Sequence, residues 1–157
     1  MTQEDLGHRI GYQLKRAHAA LRAAMDGALR AHGLTTPQYA CMELLGAHPG
    51  LSNAELARGA FVTRQSMNVV LRSLQEAGLV ERPATAPAGR ALPTRLTERG
   101  ERLLQAARAE VKAIERRMTA GLDAAEADAL PTRLAGMAEA LSSAPEARTG
   151  PPEPGGG

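Results

Sequence analysis

Aromatic residues are almost missing from this 157-residue chain, which has two Tyr, one Phe and no Trp. Its core must be assembled from Leu, Ala, Val, Ile and Met, and a composition rich in Ala, Leu, Arg and Glu favours helix over sheet. Cysteine is nearly missing too. The single Cys41 excludes an intrachain disulfide and any zinc knuckle built from several cysteines. The four histidines, His8, His18, His32 and His48, are dispersed, with no pair at the i, i+4 ligand spacing, so no metal is expected. No apolar run approaches the roughly 20 residues that span a bilayer, and nothing at the N-terminus resembles a signal peptide. A cytoplasmic protein without membrane contact is expected. No Ser/His/Asp constellation, P-loop or dinucleotide fingerprint occurs, so neither an enzyme nor a cofactor is expected.

What is present is an uneven charge. The net charge is only +2, but residues 52–117 hold twelve Arg/Lys against seven Asp/Glu, whereas residues 118–157 hold two against six. A basic middle is compatible with nucleic acid. The length suits one domain with a real core.

Helix punctuation is dense. Leu6, Ile10, Leu14, Ala17, Leu21, Met25 and Leu29 recur at steps of three or four, which predicts one helix from Leu6 to about His32, closed by Gly33. At about 40 Å it is longer than a small globule needs, so part of it is expected to pack on a second chain. Thr35 and Gln38 have the spacing of a capping box, with Pro37 in the first turn and Leu34 and Tyr39 as a hydrophobic staple. That helix runs to about Ala47. Ser52 and Glu55 repeat the box, with Leu51 and Leu56 as staple, for a short helix ending near Gly59. Thr63 caps the next helix, which runs to Ala77 and stops at Gly78. Two short helices about four residues apart have the spacing of a helix-turn-helix.

After Gly78, residues 79–82 read as a strand, residues 83–89 as a turn-rich tip, and residues 91–96 as a returning edge strand limited by Pro93. Together they predict a two-stranded wing. Thr97 starts another long helix with Leu103, Leu104, Ala107, Val111, Ile114 and Met118 on its apolar side. Asp123 and Glu126 cap the last, in which Pro131 predicts a kink or a restart. Residues 143–157 are rich in Pro, Gly and Ser, and a disordered tail is expected. The fold class is mainly α with a small β-wing: a DNA-reading lobe at about residues 34–97, long helices at about 6–32 and 97–142, and the tail.

Within residues 64–77, Met67, Val70, Leu71 and Leu74 fall on one side and predict the core face. The other side carries Gln65, Asn68, Val69, Arg72 and Glu76. Gln and Asn pair with adenine edges and Arg with guanine edges or phosphates, while an outward Val suits a thymine methyl. Arg64 and Ser66 on the flanks, and Thr63 with the free donors of the first turn, suit phosphates. Ser52 belongs to the same expected surface. Arg90 at the wing tip suits a narrow minor groove, and Arg82 and Arg95 at its base suit phosphates.

The runs Gly33-Leu34-Thr35-Thr36-Pro37-Gln38-Tyr39, Ser52-Asn53-Ala54-Glu55-Leu56-Ala57, Leu74-Gln75-Glu76-Ala77-Gly78-Leu79-Val80-Glu81-Arg82 and Leu96-Thr97-Glu98-Arg99-Gly100 resemble the multiple-antibiotic-resistance regulator (MarR) family over residues 6–142. The resemblance implies a homodimer built from the first helix and the last two. It implies a winged helix-turn-helix that binds pseudo-palindromic double-stranded operators, and a repressor released by a small phenolic or aromatic ligand or by oxidation. There are two departures. The family's wing usually carries Asp-x-Arg, and here the stretch is Ala88-Gly89-Arg90. The family's Asp-Arg pair late in the recognition helix is Arg72-Ser73.

Three kinds of signal are open to such a regulator: thiol oxidation, a metal, which the dispersed histidines argue against, and a small organic effector. The peroxide-sensing branch places a cysteine in the first helix, where this chain has Gly11. Cys41 lies on an apolar helix face and is expected to be a buried, inert thiol, with redox control through it as the alternative. A small organic effector in an apolar crevice is the other option, with Tyr12, Arg16, His18, Tyr39 and Met42 as candidates and Arg16 suited to a carboxylate. The missing Trp argues against the urate-sensing branch. The rival reading from a different class is a winged helix used only for protein–protein contact.

Overall fold

Side-chain caps set most helix N-termini in this protein. Its structure, a computed structural model, describes residues 2–82 and 93–143. The expected wing tip with Arg90 and the tail beyond Ser143 lie outside the described residues. The elements run α1 (Gln3–Gly7), α2 (Ile10–Arg30), α3 (Thr36–Ala47), α4 (Asn53–Gly59), α5 (Arg64–Glu76), β1 (Val80–Glu81), β2 (Arg95–Leu96), α6 (Glu98–Met118) and α7 (Ala124–Ser142). Thr35, Ser52 and Thr63 each accept the N–H three residues on, and Gln38 and Glu55 return the bond to the N–H of Thr35 and Ser52. Asp123 accepts from the Glu126 N–H, and Thr97 from the Gly100 N–H.

Helices α2, α4 and α5 end in one motif, in which a 6→1 hydrogen bond spans a left-handed residue. Leu34 donates to Leu29 O at 3.1 Å, Val62 to Ala57 O at 3.0 Å and Leu79 to Leu74 O at 2.9 Å. Gly33 (φ 68°) and Gly78 (φ 71°) take the left-handed position in two of them; at the end of α4 it is Phe61 (φ 57°). A side chain there costs about 1 kcal/mol that glycine avoids.

Three expectations need correction. The first helix is two helices, separated at His8–Arg9. Thr2 and Asp5 form their own capping box on α1, and the Gln13 amide donates to the Gly7 carbonyl at 2.8 Å, which satisfies the backbone where the chain breaks. Among the described residues each wing strand is only two residues long, with Val80 opposite Leu96 and Glu81 opposite Arg95 in antiparallel register. At Pro131, where the sequence predicts a kink or a restart, α7 does not restart but runs through. Residue 131 is exposed, so water can take the Ala127 carbonyl that proline leaves without its usual donor.

Contacts divide the chain into Met1–Met118 and Thr119–Gly157. In the first unit, Leu29, Leu34, Met42, Leu45, Leu56, Met67, Leu74, Leu79 and Leu104 form a core shared by α2 to α6 and β1. Helix α3 is tied to three neighbours by polar bonds. Thr36 donates to Asp26 of α2 at 2.5 Å, and Gln38 Nε2 donates to Ser73 Oγ of α5 at 2.9 Å. From α6, Arg108 donates through Nε and Nη2 to the two carboxylate oxygens of Glu43, at 2.9 and 2.8 Å. The Tyr39 hydroxyl adds a bond to Glu43 at 2.6 Å. In the second unit α7 has no buried residue. Among the described residues, no helix is long and apolar enough to cross a membrane.

The Arg108 guanidinium, more than any other group, holds the Glu43 carboxyl below its usual 4.5. A depressed carboxylate adds stability that is fully present above the unfolded value and lost as pH falls through the folded one. At neutral pH, Glu43→Gln is expected to cost about 1–2 kcal/mol, the low end for a charge-assisted bond, because the pair is about one-third exposed. Denaturant melts of both proteins should show that difference shrinking below about pH 4.5. A constant difference down to pH 3 would remove the ion pair as its source.

Candidate nucleic-acid interface

The α5 helix presents the two faces its spacing predicts. Met67, Leu71 and Leu74 are buried and Val70 half-buried, while Arg64, Gln65, Ser66, Asn68, Val69, Arg72 and Glu76 are exposed. Val69 keeps 63% of its surface in water, which offers an apolar side chain no reward in a free helix. Helix α4 packs against α5, and the Asn53 amide of α4 donates to Asn68 Oδ1. That bond holds the Asn68 amide at a set angle on the outer face. A carboxamide oxygen has a second lone pair, so Asn68 retains both a donor and an acceptor for a base edge.

The first turn of α5 divides its work. Thr63 accepts from the Ser66 N–H at 3.1 Å and gives its hydroxyl proton to Ser66 Oγ at 2.9 Å. The Ser66 hydroxyl proton therefore remains available, as do the N–H groups of Arg64 and Gln65, which precede the first intrahelical bond. Such donors at a helix N-terminus suit a phosphate. Ser52 is exposed but closed into its box with Glu55. Its backbone N–H holds the Glu55 carboxyl below the usual range, so an anion stands beside Ser52 and weakens its appeal to phosphate. Arg82 is exposed and its Nε donates to the buried Thr94 hydroxyl at 3.1 Å, which braces the base of the wing. Arg95 is exposed opposite Glu81.

Ser73 is the second residue of the pair in which this chain departs from the family's Asp-Arg. Its hydroxyl donates to Val70 O at 2.7 Å and accepts from Gln38, so a neutral link ties α5 to α3. Sequence reading missed Asn53, Phe61 and the bond to Ser73 of Gln38, which it read only as a cap. Phe61 lies in the turn between α4 and α5 and is 94% exposed.

The expected effector residues do not converge within one chain. Met42 is fully buried, and Tyr39 is buried with its hydroxyl committed to Glu43. Burial and Glu43 both push the Tyr39 hydroxyl upward, so it stays protonated. Tyr12, Arg16 and His18 are exposed on α2, where every residue from 10 to 20 is exposed. A cavity of about 730 Å³ does open between α3, β2 and α6, but Arg102, Arg108, Glu98 and Leu104 are among its lining, not the expected five. Cys41 is fully buried, and burial pushes its thiol up to about 12. A protonated, enclosed thiol is a poor redox sensor. Among the described residues no three His, Cys, Asp or Glu gather as metal ligands.

Comparison with known proteins places this geometry. A family model described as MarR family matches residues 32–91. The HTH-type transcriptional repressor Rv2887 of Mycobacterium tuberculosis is 50% identical over 115 residues, which cover 73% of this chain and 83% of that protein. A crystal structure of the M. tuberculosis MarR family protein Rv2887 in complex with DNA superposes with a TM-score of 0.67 at 43% identity, covering 86% of this chain and 98% of that one. The same protein in complex with p-aminosalicylic acid gives a TM-score of 0.66 at 44% identity, covering 86% and 99%.

Proposed function

The chain belongs to the MarR family, and from that premise we propose that it is a homodimeric repressor that binds pseudo-palindromic operator DNA and is released by a small aromatic or phenolic acid. The observation that carries the reading is the outer face of α5. Gln65, Asn68, Val69 and Arg72 offer amide, apolar and guanidinium groups together, a set that matches base edges in a major groove. The DNA and p-aminosalicylic acid complexes of Rv2887 support the partner and the ligand class. No catalytic role is assigned, and its site of action is cytoplasmic DNA.

Dimerisation follows from uncovered apolar surface. Ile10, Tyr12 and Leu14 on α2, and Leu134, Met137 and Leu141 on α7, are all exposed. A second copy that covers both helices makes residues 6–142 the functional unit and sets two recognition helices about one helical turn of DNA apart. Tyr12, Arg16 and His18 then meet an effector only in the assembled dimer. An acid that binds better to a dimer with wrongly spaced recognition helices weakens operator binding by that difference in affinity.

Selection from randomised duplexes should return a two-fold related site. Its affinity should fall steeply with salt, by about 0.9 logarithmic units per decade of salt for each phosphate neutralised. Salicylate should then reverse binding. Dimeric protein that selects no site at low salt would leave the protein–protein reading in its place.

A further inference from the structure

Among the described residues the 6→1 motif closes three helices, and two of them place glycine at its left-handed position. The third, at the end of α4, places Phe61 there with φ 57°. The ring is also 94% exposed, the most exposed large apolar side chain among the described residues. Strain and exposure both act against phenylalanine at this position, and neither is relieved by the described residues. The neighbours do not share the exposure: Ala60 and Val62 pack against the core. A single exposed ring whose chain neighbours turn to the core is a poor seat for a protein partner, whose interfaces centre on contiguous apolar clusters.

The surroundings favour DNA. Residues 56–66 contain Arg58 and Arg64 and no acidic residue, and both arginines are exposed. Phe61 stands two residues before Thr63, the cap of α5, so the two Cα atoms are at most about 7 Å apart. When the first turn of α5 enters a major groove, this turn is carried to the wall of the groove. The apolar groups available there are the deoxyribose face and the thymine methyl.

We infer that Phe61 is a DNA contact, a ring that packs on apolar carbon of the operator beside the recognition helix and extends readout beyond α5. This rests on the operator-binding reading above, and the test separates the two. The probe is the duplex that the wild-type dimer selects from randomised DNA. Phe61→Gly and Phe61→Asn both remove the ring at a left-handed position that each tolerates, and asparagine does so without adding backbone freedom. Both variants should melt no lower than wild type, sediment as the same oligomer and bind the duplex about tenfold more weakly. The slope of log affinity against log salt should stay unchanged, because the lost contact carries no charge. Replacing thymine by uracil in the duplex identifies the methyl as the contact if it closes the gap between wild type and Phe61→Gly, and the sugar if it does not.

Wild-type affinity in either variant would overturn the inference, and so would a change of oligomeric state, which would make a second copy the occupant. A wild-type protein that selects no duplex would refute the operator reading itself.

Discussion

Gly100→Ala is expected to lower stability by about 3 kcal/mol or more, and the melting temperature by roughly 6–12 °C. Helix propensity alone argues the reverse, because alanine in a helix interior gains about 1 kcal/mol over glycine. Sterics decides the sign. A Cβ on Gly100 would lie 2.1 Å from the Leu79 carbonyl oxygen and 3.0 Å from its carbon, and these are backbone atoms that cannot rotate away. The same carbonyl accepts the Thr97 N–H at 3.0 Å, while the Thr97 hydroxyl donates to Gly78 O at 2.7 Å and Arg99 donates to Ala77 O at 2.9 Å. Moving α6 away to admit a methyl group would break those bonds together and pull the end of α5 off its support. A thermal melt of the variant checks this, and a melt within 2 °C of wild type, on the scale of about 1 kcal/mol or less, would show that the junction can yield.

The second large effect concerns binding alone. Replacing both Asn68 and Arg72 with Ala is expected to weaken the selected duplex by about a hundredfold or more, since a good side-chain-to-base pair contributes about 1–3 kcal/mol of discrimination. Both residues are exposed, and the better helix propensity of alanine offsets much of the Asn53–Asn68 bond that is lost, so the melting temperature should shift by no more than about 2–4 °C. The single variants separate the roles. Asn68→Ala should relax preference at one base pair with little change in salt dependence. Arg72→Ala should do the same if it meets guanine, or weaken all sequences alike and reduce the salt slope by about 1 if it meets phosphate. Fluorescence polarisation against the selected site and its single-base variants reads each outcome. An unchanged Kd in the double variant would remove the α5 face from the operator.

Most of this fold was written in local chemistry. The capping pairs at Thr35, Ser52 and Thr63 and the glycines at 33 and 78 mark helix ends because their bonds close within a few residues. The core and outer faces of α5 followed from period alone. What was not legible depends on groups distant in sequence or on rules that cut both ways. The break at His8–Arg9 is invisible because Leu6, Ile10 and Leu14 keep helical spacing across it, while the Gln13 bond to Gly7 O needs the fold. Asn53 was silent because its partner Asn68 lies fifteen residues on, across a helix packing. Phe61 escaped notice because left-handed caps are recognised by glycine, and here the rule is broken. Of the effector candidates, Met42 and Tyr39 were chosen for their helix and not for their depth; apolar spacing does not separate a pocket wall from a core wall.

Helix α3, with its bonds to Asp26, Ser73 and Arg108, is bonded as a lever would be. It is about 18 Å long, and its N-terminal half grips α5 through Gln38 while Glu43 further along is gripped by α6. A tilt of about 10° about Glu43 moves Gln38, five residues and about 7.5 Å along the axis, by about 1.3 Å. Hydrogen bonds to base edges tolerate a few tenths of an ångström, so such a swing is several times what α5 needs to lose its register on DNA. Gearing of this kind makes the sensitivity of the regulator a property of where Glu43 and Gln38 stand along one short helix. The strength of any single contact matters less than that spacing.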